Sequence, residues 1–113
     1  NGNIDNYSAK PIRRLDFELN MAYGTDADKC IAAILKILQA DARVLDAKTK
    51  GASDPMSAVS SLNDSTVTFL ARVWVKAADY WPLKFDLNKE LFTQLPKQGF
   101  TFEYPHMNVT LSK

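Results

Sequence analysis

The chain has 113 residues and a formal net charge of +1: one domain's length, and too little charge to hold nucleic acid or an anionic membrane by electrostatics alone. Its single cysteine, Cys30, excludes an internal disulfide and points to a reducing compartment. No apolar run approaches the roughly 20 residues that span a bilayer. The opening Asn1-Gly2-Asn3-Ile4-Asp5 lacks the basic and apolar regions of a secretion signal, and without an initial methionine the sequence reads as a fragment.

Residues 1–12 are polar and broken by Asn6, Ser8 and Pro11, as in a linker or the end of a preceding domain. From Leu15 the pattern changes. Leu15, Phe17, Leu19, Met21 and Tyr23 alternate with Arg14, Asp16, Glu18 and Asn20, which predicts a strand with one buried face. Gly24 ends it. Thr25 is expected to cap a helix, with Asp26 and Asp28 favourably placed at the positive end of its dipole. Cys30, Ile31, Ile34, Leu35, Ile37, Leu38 and Ala42 follow at helical spacing, and the helix should fade near Arg43 to Leu45. Residues 47–55 read as a loop.

Met56 to Leu62 is expected to be a short strand, with Met56, Ala58 and Ser60 on one side. Asn63-Asp64-Ser65 supplies a turn, and Thr66 to Lys76 is the longest strand signal. Val67, Phe69, Ala71, Val73 and Val75 face one way; Thr68, Leu70, Arg72, Trp74 and Lys76 face the other. Asp79 should cap a second helix that tolerates Pro82 in its first turn. Leu87, Leu91 and Leu95 lie four apart as its apolar stripe, with Leu83 and Phe92 widening it. Pro96 and Gly99 end the helix, Phe100 to Tyr104 is extended, and Pro105 separates a last alternating strand, Met107 to Leu111. The order β-α-β-β-α-β predicts an α+β, ferredoxin-like sandwich with both helices on one face, followed by a short C-terminal strand.

No catalytic or cofactor-binding constellation stands out. His106 is the only histidine and has no neighbouring acid or cysteine, so neither a metal site nor a triad is expected. Cys30 falls among apolar helix positions, where a buried, inert thiol is the default. No glycine-rich phosphate loop is present. Catalysis, a metal and a cofactor are all unexpected.

Particular residues carry the reading further. Asn6-Tyr7-Ser8 with Pro11-Ile12-Arg13-Arg14, the corner Ala22-Tyr23-Gly24-Thr25-Asp26, the stretch Leu70-Ala71-Arg72-Val73-Trp74-Val75-Lys76-Ala77-Ala78-Asp79-Tyr80-Trp81, and Gly99-Phe100-Thr101-Phe102-Glu103-Tyr104-Pro105-His106-Met107-Asn108-Val109 occur in this order. Together they resemble the cytoplasmic C-terminal part of the small-conductance mechanosensitive channel (MscS-like) family. His106 and Asn108 depart from the Gln and Asp expected there. The resemblance implies an α/β vestibule domain over residues 13–104 and, over 105–113, a strand of a β-barrel shared between subunits. It implies a homo-oligomer, heptameric in the family. The vestibule would pass ions and osmolytes at the cytoplasmic face of a membrane, reached only through helices outside this sequence.

Within that resemblance, Arg13, Arg14 and Asp16 are candidate charges at a vestibule opening, where a narrow mouth focuses the field; a solvated strand face is the plainer reading. Trp74, Met107, Val109 and Leu111 are candidate subunit-interface residues, with packing of helix on sheet the alternative reading for Trp74. Two rivals share the fold. An RNA-binding module needs stacking aromatics on the exposed strand face in basic surroundings, and Asp16, Glu18 and Asn20 argue against it. An acylphosphatase-like hydrolase needs an anion-cradling loop, and the acidic corner Gly24 to Asp28 argues against that.

Overall fold

The structure, a computed structural model, describes residues 11–103. Strand β1 (Ile12–Ala22) leads into helix α1 (Ala27–Gln39). Strands β2 (Met56–Leu62) and β3 (Thr66–Lys76) form a hairpin, and a 3-10 turn (Ala77–Asp79) opens helix α2 (Tyr80–Lys97). The sheet order is β1-β3-β2, with both neighbours antiparallel to β3. This is the α+β architecture expected, with a three-stranded antiparallel sheet and two helices. His106, Met107, Val109 and Leu111 lie outside the described residues.

Alternation decides which residues meet. Leu15, Phe17, Leu19 and Met21 of β1 and Phe69, Ala71, Val73 and Val75 of β3 lie on one side of the sheet and are buried. Onto them α1 brings Cys30, Ile34, Ile37 and Leu38, while α2 brings Leu83, Leu87, Leu91 and Leu95. Helix α1 covers the β2 and β3 side and α2 the β1 and β3 side. A buried leucine on every fourth residue of α2 is what one helical stripe against a sheet requires.

Five local expectations are corrected. Asp26, not Thr25, caps α1: its carboxylate accepts from the Lys29 N–H at 3.1 Å, while the Thr25 hydroxyl donates to the Ala22 carbonyl at 2.6 Å and closes the corner. Gly24 makes that corner possible with φ of 94°. Helix α1 stops at Gln39 because Asp41 accepts from the Arg43 N–H at 2.9 Å, a local bond that competes with another helical turn. Asp79 makes no capping bond, since the 3-10 turn already satisfies the Tyr80 N–H through Ala77 O. Pro96 lies inside α2, which runs to Lys97 before Gly99 turns with φ of 94°. Phe92 does not join the core stripe; it is 64% exposed on the outer flank of α2.

After α2 the chain returns to the free side of β1. There it makes one antiparallel bridge, Met21 to Phe102, flanked by hydrogen bonds from Ala22 N to Thr101 O (3.1 Å) and from Glu103 N to Asn20 O (2.9 Å). The extended segment expected from Phe100 is thus a single bridge among the described residues.

Phe69, wholly buried in the middle strand, sets the first prediction. Phe69→Ala should lose about 3–5 kcal/mol in denaturant titration. Phe92→Ala should lose less than about 1 kcal/mol, and Arg72→Ala, on the opposite face, much less than Phe69→Ala.

Candidate functional site

Among the described residues, no helix lies on the other side of the sheet. It carries the even-numbered residues of β1 and β3, paired as Arg14 with Trp74, Asp16 with Arg72, Glu18 with Leu70 and Asn20 with Thr68. At one end Asp16 is gripped from two sides. Arg72 Nε lies 2.8 Å from Asp16 Oδ1 and Arg72 Nη2 lies 3.4 Å from Oδ2, a two-point contact across the strands. Arg14 Nη2 stands 3.4 Å from the same Oδ2. Two guanidinium groups on one carboxylate leave a formal charge of +1 on this patch. The bond from Asp16 pushes the Arg72 guanidinium above its ordinary range, so it stays charged at any physiological pH.

The three candidate charges of the sequence therefore separate. Arg14 and Asp16 meet on the open face. Arg13, one residue out of phase, turns to the helix side, where its guanidinium stacks 3.8 Å from the centre of the Tyr80 ring. Arg72 completes the patch. Sequence alone places it on the same strand parity as Trp74 but not beside Asp16, since that pairing depends on the β1–β3 register.

Trp74 is half-buried on this face, and its carbonyl accepts from Leu45 N–H at 2.9 Å, which pins the chain after α1 to β3. Leu70, Met56 and Ala58, partly exposed, form an apolar middle. At the far end Thr68 Oγ1 donates to Asn20 Oδ1 at 2.8 Å, and Asn63 Nδ2 donates to Thr66 Oγ1 and Thr68 Oγ1, both at 2.9 Å. This closed polar network explains how Thr66 and Thr68 are buried without cost. The surface so built is charged at one end, apolar in the middle and polar at the other.

Two further polar features lie elsewhere. Arg43 donates to Asp41 (Nε to Oδ1, 3.0 Å; Nη2 to Oδ2, 2.8 Å) and to Asp86 Oδ2 (2.8 Å), tying the end of α1 to the middle of α2. The Arg43 hydrogen bond holds the Asp41 carboxyl below its usual range. Burial pushes the Cys30 thiol up to about 11, as expected for an inert thiol. A groove of about 610 Å3 runs between β1 and α2, lined by Leu19, Leu91, Phe92 and Phe102, with Asn88 and Lys89 beside them. No nucleophile–base pair faces it. Among the described residues no group of three or more metal-ligating side chains converges, and no helix is long and apolar enough to cross a membrane.

A family model described as "Mechanosensitive ion channel MscS, C-terminal" matches residues 15–101. The chain belongs to the MscS family. Its sequence is 36% identical over 112 residues to a small-conductance mechanosensitive channel of Edwardsiella ictaluri (strain 93-146), covering 97% of this chain and 37% of that protein. It is 32% identical over 116 residues to an uncharacterized MscS family protein of Buchnera aphidicola subsp. Schizaphis graminum (strain Sg), covering 99% of this chain and 38% of that protein. The chain thus spans less than two-fifths of the length of these curated MscS relatives. In fold it is similar to Helicobacter pylori MscS in its closed state, with a TM-score of 0.74 at 15% identity over 92% of this chain and 40% of that one. The family is one of channels, not of enzymes, and neither the RNA-binding nor the hydrolase reading finds support.

Two outcomes follow for this MscS domain. The Cys30 thiol should react with DTNB at about pH 8 only when the domain opens, orders of magnitude more slowly than in denaturant; rapid labelling of the native protein would place Cys30 at the surface. Because the folded-state pKa of Asp41 is lowered, its contribution to stability is present above the unfolded carboxyl value of about 4 and is lost as pH falls through the folded one. Melting curves of Asp41→Asn should fall below wild type at neutral pH and converge with it as pH drops under about 4.

Proposed function

We propose that this domain is part of the cytoplasmic vestibule of a mechanosensitive channel subunit, where it supports assembly and filters the ions and osmolytes released on hypo-osmotic shock. The family match over residues 15–101 carries the reading, and the open sheet face supplies its chemistry. In this reading the Arg14–Asp16–Arg72 patch lines a vestibule opening and biases the local ion population through its net positive charge. Trp74, beside Arg14 on the same face, belongs to a subunit interface. The Met21–Phe102 bridge marks where a fourth strand would complete a ferredoxin-like sheet. Residues 1–12 join the domain to a preceding β domain. Residues 105–113, with Met107, Val109 and Leu111 on one side, contribute a strand to a barrel closed by equivalent strands of a homo-oligomer, a heptamer by family resemblance. The membrane is reached only through helices of the full-length parent, on whose cytoplasmic side the domain sits. No cofactor takes part.

Patch recordings of the full-length parent test this. Arg14→Glu with Arg72→Glu should move the reversal potential toward cation preference and leave the tension threshold unchanged, since tension acts on membrane helices. Arg13→Glu, on the helix side of the sheet, should have the smaller effect. Unchanged selectivity in the double variant would return the patch to a solvated strand face.

A further inference from the structure

The exposed side chains Val59, Leu62, Trp81, Phe85 and Phe92 lie at the edges of the layers, on β2 and α2. Trp74 is placed differently: it is half-buried on the middle strand, on the open face. The register decides what surrounds it. Arg14 lies directly across on β1, while Arg72 and Lys76 lie two residues before and after it on the same face of β3. On the β2 side Leu45 bridges to Trp74, and Met56 pairs with Arg72. The indole therefore has cations on three sides and apolar side chains on the fourth.

The strand pairing also sets the spacing. Ala22 N–H and Asn20 C=O go to the return segment, so the main-chain groups of the even-numbered β1 residues point away from β3. Arg14–Trp74 and Asp16–Arg72 are thus non-hydrogen-bonded pairs, in which side chains stand closest, with Cβ atoms about 4.5–5.5 Å apart. Lys76 is the diagonal neighbour of Arg14, at about 7–8 Å. Two long cationic side chains rooted that far apart can close on one anion between them.

Three cations meet one carboxylate here. Asp16 holds Arg72 at two points. Its hold on Arg14 is a single 3.4 Å contact, with the Arg14 side chain 49% exposed, and such exposed pairs are weak. Lys76 makes no ion pair among the described residues. The ring of Trp74 is equally available: among the described residues no other ring or cation stacks on it. Trp81, by contrast, carries Lys84 at 4.9 Å from its ring centre and Phe85 at 5.8 Å.

We propose that Arg14, Lys76 and Trp74 form a binding site for an organic anion, a carboxylate on a flat apolar body. The carboxylate lies between the Arg14 guanidinium, whose planar fork suits two oxygens, and the Lys76 ammonium. The apolar body lies on the Trp74 ring. Asp16 is the built-in competitor, since it occupies Arg14 until an outside carboxylate takes its place. Chloride has neither the second oxygen nor the apolar body, so the site favours organic anions over it. The inference deepens the vestibule reading and rests on it for the position of the patch at an opening. A neighbouring subunit can cover Trp74 from the Leu45 and Met56 side and leave the Arg14 side to the ligand.

Nuclear magnetic resonance of the 15N-labelled full chain tests this. Two indole N–H signals are expected, from Trp74 and Trp81, and Trp81→Phe assigns them. Titration with 2-naphthoate should shift the Trp74 signal saturably, with a Kd in the millimolar range, and leave Trp81 in place. 2-Naphthalenemethanol has the body without the charge, and acetate the charge without the body; each should bind at least about fivefold more weakly. Arg14→Gln and Lys76→Gln, both at exposed positions and checked for folding by their amide spectra, should each weaken binding about threefold or more. Asp16→Asn should strengthen it by about the same factor, an effect that a merely structural Asp16 would not produce. The proposal is overturned if the Trp74 signal stays in place or if Trp81 moves with the same affinity. It is also overturned if the alcohol or acetate binds as tightly as 2-naphthoate, or if any of the three variants fails to change affinity in the stated direction. This titration reads the chain alone, and the patch recordings judge the channel reading separately.

Discussion

Everything in this domain depends on the alternation of β3. That strand lies between the other two and pairs with β1 along its whole length, from Ile12 with Lys76 to Ala22 with Thr66. Its odd-numbered residues Phe69, Ala71, Val73 and Val75 are fully buried and form the floor on which both helices rest. Its even-numbered residues set the opposite face. A slip of one residue would carry Arg72 and Trp74 into the core and Val73 out of it, so the apolar demand of one face fixes the charge pattern of the other. The Asp16–Arg72 pair is a product of that register and contributes little to setting it: both partners are partly exposed, and such pairs are weak beside a buried aromatic.

Features with a strong period were legible in the sequence. The β1 and β3 alternations, the four-residue leucine spacing of α2 and the Asn63-Asp64-Ser65 turn need no tertiary information, and the elements appear where the pattern puts them. Partner choice among neighbours was not legible. Thr25 and Asp26 are both good caps, and the corner at Gly24 decides between them by taking the Thr25 hydroxyl for itself. Phe92 has helical spacing that suits either the edge of the core stripe or the outer flank, and only the extent of the sheet beneath α2 separates the two. Arg13 and Arg14 are adjacent in sequence and end on opposite faces, one on the Tyr80 ring and one beside Asp16. Arg72 joins the patch through a cross-strand pairing that no local pattern encodes.

The fold by itself is shared by unrelated functions. Short runs of particular residues narrow the chain to the MscS family, and the family match over residues 15–101 contains two of the four runs whole and the start of the last. What geometry adds is a division of surfaces: a closed apolar layer between sheet and helices, an open face that mixes charge with a half-buried tryptophan, and two edges that carry the exposed aromatic and aliphatic side chains.

The way the chain leaves α2 has a mechanical consequence. Past Gly99 it is held to β1 by two main-chain hydrogen bonds about Phe102, and by the stacking of Phe102 on Phe92. The β1–β3 ladder lies one strand further in. Phe100 N–H also donates to Leu95 O at 3.1 Å, and Phe100 and Phe102 both pack against the core, so among the described residues a pull at this end is carried into α2 and the core as well as into β1. The return segment is thus a tether shared between helix and strand, and strain arriving along it meets both at once.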